Sequence, residues 1–443
     1  MQAIALTKDR CLPVAGLAAR VATVAASPPQ MMMAAPTFLF LLALTAMLLR
    51  HPDVPFYEID RVAFALLSLG VVMQALVMRQ PLPVERATWP MLGLAILALT
   101  SAVGQPFDSE GASVLAAKVI VPFALFHVAQ LVFTNGKRLR QFELFALVVL
   151  AYLTFTAIAF LAGATWLIFP RFILDESLGY HADRARGPLL QAVANGVSIN
   201  LLGLLAFHAW RRGRLRGTKA LLLLASVPVA ILATMTRAVW LSFAASVLAL
   251  ILLSKSCTRC RACVAVLLLS GLGVAAVLGS DKLGGALNDR LGERGPVDYR
   301  EAVLAGGWQM FLERPVLGWG FHQMPAELPR FVRGYHEKLL YPHNTYLELL
   351  VEHGVVGLLL YVWLMWEFWR LGRGAIPAAE RSGFLNSQFH RLWPILLAVY
   401  WLNAAIVVMS YSVCKRTSVH ARGNARGAEA TGREPPTIPS GSS

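Results

Sequence analysis

The sequence predicts an all-α polytopic membrane protein with about 11–12 transmembrane helices, and three observations carry that expectation. Of the 443 residues, 57% are hydrophobic and only 15% are charged, whereas a soluble chain carries about a quarter charged residues. Apolar runs approaching the roughly 20 residues needed to cross a bilayer recur along almost the whole length. These runs lack the period-2 alternation of barrel strands, so in lipid their backbone groups are satisfied only within helices.

The elements follow in chain order. Residues 1–33 read as an N-terminal extension with weak structure, in which Lys8, Arg10 and Arg20 interrupt an apolar stretch unlike a cleavable signal. Met31, Met32 and Met33 stand just before the first good span, and translation is expected to start near Met31. Spans are expected at 34–49, 62–78, 89–103, 114–133, 142–163, 188–210, 219–235, 238–254 and 262–279, then at 344–369 and 391–413. The membrane region therefore divides into 34–279 and 344–413, with a basic, disordered tail at 414–443. Eleven spans from an inside N-terminus leave that tail outside. Either a twelfth span is hidden, in 11–30 for example, or the tail breaks the charge rule.

Charge placement orients the chain. With the N-terminus inside, the inside loops hold 16 Lys/Arg against 2 acids, and the outside loops hold 14 against 16. This is the positive-inside asymmetry. It accounts for the net charge of +15, and nucleic-acid binding is excluded because no basic, aromatic-interleaved soluble face exists. Cys257, Cys260 and Cys263 form a C-x-x-C-x-x-C run without a nearby fourth ligand, so they read as reduced thiols rather than a metal site.

Two extracytoplasmic segments remain. Residues 164–187 are too polar to cross, carry interfacial aromatics, and are expected to lie along the membrane surface. Residues 280–343, between the ninth and tenth clear spans, are too long for a structureless loop and should form a helical lid or site. Its eight acids balance its eight Lys/Arg, so each cation must be argued singly. Asp298 to Phe311 has helical spacing, with Arg300, Leu304, Trp308 and Phe311 on one face. A Gly-rich turn follows Arg314-Pro315, and the lid ends at Tyr341-Pro342-His343-Asn344, where a helix begins. A helix N-terminus disfavours imidazolium and favours bound anions, so His343 is placed to accept a proton or to sit beside a phosphate. Gly354 and Gly357 read as small residues for close helix packing. Glu348 and Glu352 either orient His343, pair with an arginine, or form an ordinary polar helix end. Lys118, within the fourth span, either reaches a lipid phosphate or is a satisfied structural lysine.

In combination, Arg300-x3-Leu304 and His343-Asn344-x9-Gly354-x2-Gly357 resemble the two motifs of the O-antigen ligase family, RX3L and H(N/S/Q)X9GXXG. The run ERPVLGWGFHQ between them looks like the family's PLGxG turn. Thr236-Arg237-Ala238-Val239-Trp240 is similar to its arginine-containing start of a span. The run from Arg184 and Arg186 through Gly187 to Asn195 is similar to its approach to another span. The resemblance covers about residues 34–410, and is sharpest from 298 to 357. The family has twelve spans against the eleven read here, and the match after residue 390 is loose.

The resemblance implies a GT-C-like enzyme of the bacterial inner membrane with its site on the periplasmic side. It implies transfer of a glycan from undecaprenyl diphosphate to a sugar hydroxyl of lipid A–core. Arg186, Arg237 and Arg300 would then bind the donor diphosphate bidentately and stabilise the charge that develops as the sugar departs. His343 would be the general base, or would only orient the acceptor hydroxyl or contact the diphosphate, with Asn344, Glu348, Gly354 and Gly357 in support. No metal or other cofactor is expected, because a Mg²⁺-dependent transferase would want paired carboxylates and the outer loops offer none. A single-step attack inverts the donor's anomeric configuration. An O-antigen polymerase or a protein O-oligosaccharyltransferase would use the same donor. A transporter, the alternative from another class, would show internal repeats and midplane charges that this sequence lacks. Arg300→Ala and His343→Ala are each predicted to abolish glycan transfer at unchanged protein level and membrane insertion; full activity of Arg237→Lys would mean that this cation acts as a point charge.

Overall fold

The computed structural model describes residues 28–50, 59–77, 84–106, 108–133, 136–179, 182–253, 295–332 and 344–374. Regular structure among them is helical throughout. The chain runs α1 (Pro28–Leu48), α2 (Ile59–Val77), α3 (Thr88–Val103), α4 (Ser109–Leu115), a π-helical turn (Ala116–Ile120) and α5 (Val121–Val132). Then come α6 (Gly136–Leu161), α7 (Ala192–Arg211), α8 (Gly217–Ala233), α9 (Arg237–Leu253), α10 (Gly295–Glu313), the short α11 (Met324–Glu327) and α12 (Thr345–Gly374). Among the described residues, five segments are long and apolar enough to cross a membrane: Asp60–Val77, Gly111–Val132, Gly136–Leu161, Ala192–Arg211 and Thr345–Leu371. Pro36–Leu48, Thr88–Val103, Gly217–Ala233 and Arg237–Leu248 are shorter apolar helices.

Each expected span within the described residues falls on a helix. Those at 262–279 and 391–413 lie outside the described residues, as do 1–27, the cysteine run, the tail at 414–443 and the ends of the lid at 280–294 and 333–343. Helix α1 begins at Pro28 and so takes in six residues that had been assigned to the N-terminal extension.

The fourth span is not uniform. Pro122 has no N–H to offer the carbonyl of Lys118 four residues back, and the helix widens there into the π turn Ala116–Ile120. The largest core joins α6, α7, α8 and α9 around Leu150, Leu153, Ile199, Ile231 and Val239. Small side chains bring these helices close, as expected where lipid removes the ordinary hydrophobic drive between helices. A Cβ on Gly203 of α7 would stand 3.0 Å from Val227 of α8. Residues 164–190 close one end of this bundle with two 3-10 turns, Thr165–Leu167 and Arg171–Leu174, over a small core that includes Ile168, Phe172, Ile173 and Leu178.

The tenth expected span departs most from a simple helix. Helix α12 is broken at Gly354, whose φ of 64° and ψ of −163° are open essentially to glycine alone. A continuous helix would bond the Val355 and Val356 amides to the Val351 and Glu352 carbonyls. Instead, the turn after α10 takes all four groups. Trp319 N–H donates to Val351 O (2.8 Å) and Gly320 N–H to Glu352 O (2.9 Å), while Val355 N–H donates to Pro315 O (2.8 Å) and Val356 N–H to Val316 O (3.3 Å). The close approach leaves no room for side chains, since a Cβ on Gly354 would lie 2.1 Å from Val316 O, and one on Gly318 would lie 2.5 Å from the Glu352 backbone. Helix packing, the role expected for Gly354, is thus replaced by a chain break that receives the turn. Gly357 serves the same break, because a Cβ there would sit 2.2 Å from His353 Cβ.

The face expected on α10 is also divided. Arg300, Leu304 and Trp308 are exposed, whereas Phe311 turns inward with Val303 and Met310 against Leu347 and Val351 of α12. Gly354→Ala is expected to destabilise the protein by at least ~1–3 kcal/mol from backbone strain alone, with steric overlap added. The thermal midpoint in detergent checks this, and a wild-type midpoint would refute the account of the break.

Candidate active site

The turn that caps the break also gathers polar side chains. Phe321 N–H donates to Ser101 Oγ at the end of α3 (2.7 Å), and Gln323 Nε2 donates to Gln105 Oε1 (2.5 Å). Beside them, Lys118 of the π turn reaches Glu348 of α12, with Nζ 2.8 Å from Oε1 across 230 positions of sequence. The pair is largely withdrawn from solvent, with side-chain exposures of 14% and 11%. Glu352, buried one turn further on, faces the same lysine and the Glu348 carboxylate and accepts the His322 backbone N–H. His353 follows; it is buried against the Phe321 ring at 6.0 Å, and its Nδ1 has no hydrogen-bond partner among the described residues. Four elements therefore converge on one buried polar cluster: α3, the π turn, the turn after α10, and the head of α12.

Lys118 is thus an ion-paired lysine, and Glu348 is a partner of it. Asn344 caps α12, its Oδ1 accepting the Tyr346 N–H (3.1 Å) and the Leu347 N–H (3.3 Å). His343 lies outside the described residues.

The three arginines have different surroundings. Arg186 is 1% exposed. Its Nε donates to Ile173 O at 2.9 Å, and its two terminal nitrogens donate to the Leu178 and Asp175 carbonyls. The guanidinium folds the 173–178 segment back against residue 186. Asn195, fully buried, completes that junction by donating from Nδ2 to Ala185 O (2.9 Å). Arg237, in contrast, is the first residue of α9 and is exposed. A tight turn presents it: Thr236 Oγ1 donates to Thr234 O (2.8 Å), and Trp240 Nε1 ties the start of α9 to Ile231 O of α8 (3.1 Å). Arg300, near the start of α10, is likewise exposed. Neither Arg237 nor Arg300 has an ion-pair or hydrogen-bond partner among the described residues. The two segments that carry Arg186 and Arg237 do meet, through Ala185 N–H to Ala233 O at 3.2 Å. Arg300 belongs instead with the turn and α12.

Sequence reasoning passed over Ser101, Gln105, His322, Gln323 and His353. Their one visible signal was adjacency: His322-Gln323 ends the Gly-rich run, and His353 immediately precedes Gly354. Removing one member of a buried ion pair strands the other, a loss of about 3–5 kcal/mol. Lys118→Met is therefore expected to destabilise the protein by that order, with Lys118→Met/Glu348→Gln recovering part of the loss. Chemical denaturation of the purified protein in detergent reads both, and equal stability of Lys118→Met and wild type would remove the pair from the account.

Residues 220–362, roughly a third of the chain, match the family model described as O-Antigen ligase. The match includes Arg237, Arg300, the turn, and the broken helix with Glu348 and Gly354, while Lys118 and Arg186 stand upstream of it. No curated protein matches the chain. The segment that holds Arg237, Arg300 and the broken helix therefore falls within the stretch similar to the O-antigen ligase family.

Proposed function

We propose that this protein is a glycosyltransferase that moves O-antigen polysaccharide from undecaprenyl diphosphate to lipid A–core at the periplasmic face of the inner membrane. The observation that carries the proposal is the contrast among the arginines within a family of ligase and polymerase type. Arg237 heads α9 and Arg300 lies near the start of α10 in the matched segment, and neither guanidinium has an ion-pair or hydrogen-bond partner among the described residues. A diphosphate leaving group needs such donors, because planar guanidinium forks bind phosphate oxygens bidentately and offset the charge that grows as the sugar departs. Arg186, bound by three backbone carbonyls, holds the segment around residues 173–178 instead.

In this reading His343 takes the proton of the acceptor hydroxyl as that oxygen attacks the anomeric carbon, and the configuration inverts. Residue 343 directly precedes, in the sequence, the Asn344 cap at the start of α12. The Lys118–Glu348 pair and the turn at the break hold that start in place. Positioning of this kind counts, since small displacements of a reacting group cost large factors in rate.

A deletion strain separates the readings that share the donor. The expected result is loss of long-chain lipopolysaccharide with accumulation of carrier-linked glycan of full length, restored by wild type and not by Arg300→Ala. Accumulation of single repeat units would mean a polymerase, and loss of glycan from a protein would mean a protein glycosyltransferase.

A further inference from the structure

Helix α10 has three faces rather than two. Val303, Met310 and Phe311 pack into the protein. Glu301, Gln309 and Glu313 form an exposed polar row. Between them runs a second exposed row, Leu304, Trp308 and Leu312, which continues into Val316 and Leu317 of the turn; these five side chains are 48–62% exposed. The helical part repeats every fourth residue from Arg300, so Arg300 heads the row and stands roughly 18 Å from Leu312 at 1.5 Å per residue. A soluble helix with its interior face already packed has no need of a second apolar row.

We infer that this row lies in the outer leaflet of the bilayer, so that α10 rests half-immersed at the lipid–water boundary with Arg300 at headgroup depth. Continuity with a membrane-spanning surface identifies the occupant as lipid. Val316 O accepts the Val356 N–H, and Val355 and Val356 are themselves exposed apolar residues of α12, a candidate span. Exposed apolar side chains thus follow one another from the span at Val355 and Val356, through the turn at Val316 and Leu317, to Leu312 of α10. The polar row beside it gives the amphipathic division of an interfacial helix. Tryptophan favours that boundary, and the arginine at the end of the row can extend its guanidinium to lipid phosphate level. Lipid contact goes beyond the transfer reading and does not depend on it; if both hold, the shared depth explains how Arg300 meets a lipid-borne diphosphate.

The test uses the full chain with its five cysteines (Cys11, Cys257, Cys260, Cys263 and Cys414) changed to alanine. Spin labels are placed singly through Leu304→Cys, Leu312→Cys and Gln309→Cys, and the protein is reconstituted at one copy per nanodisc of phosphatidylethanolamine and phosphatidylglycerol. Labels at 304 and 312 should relax several-fold more with oxygen than with a water-soluble nickel chelate, and the label at 309 should show the reverse. Val316→Cys replaces Leu312→Cys if the latter lowers the yield. Nickel-dominated relaxation at 304 and 312 would place the row in water and overturn the inference. So would inaccessibility to both reagents, which would mean that another part of the chain covers the row.

Discussion

A helix interrupted away from water leaves amides and carbonyls that only other protein groups can satisfy, and each one left unpaired costs as much as a lost hydrogen bond or more. That constraint governs the centre of this protein. The break at Gly354 is tolerated because the Pro315–Gly320 turn supplies one acceptor or donor for each of the four groups released. The turn is held from behind as well: Trp319 Nε1 donates to Met310 O at 2.7 Å, and the Arg314 guanidinium sits 4.4 Å from the Trp319 ring centre. Helix α10, the turn and α12 therefore form one unit, and a change in any of them is transmitted to the others.

The buried polar cluster rests on that unit. Once the turn occupies the break, its Phe321–Gln323 end meets Ser101 and Gln105, and the head of α12 carries Glu348 to Lys118. The lysine is a costly residue in an apolar span, and its cost is offset by a carboxylate from a helix distant in sequence. The π widening at Pro122 belongs to the same arrangement, because it falls at the turn of helix that bears the lysine.

The arginines divide by what already binds them. A guanidinium offers five donors in a fixed plane, and three carbonyls around Arg186 accept from it to hold a segment that lacks long helices of its own. At Arg237 and Arg300 the protein builds a rigid backbone beneath the residue and leaves the side chain outside.

Hydropathy and helical period are local properties, and for that reason the helical class, the positions of the apolar helices within the described residues and the special character of the Arg300-to-Gly357 region were all legible in the sequence. The motif residues were legible too, but their roles were not. Gly354 read as a packing glycine because sequence does not show that another segment will enter the helix at that point. Lys118 and Glu348, 230 positions apart, each looked like an isolated charge until closure of the chain made them partners. Arg186 and Arg300 looked alike as outward-lying arginines, and only the folded carbonyls around one of them told them apart. Sequence by itself determined which residues were available for chemistry and which segments were helical; tertiary structure decided which of those residues the protein uses to hold itself together, because that depends on contacts between distant segments that no local pattern encodes.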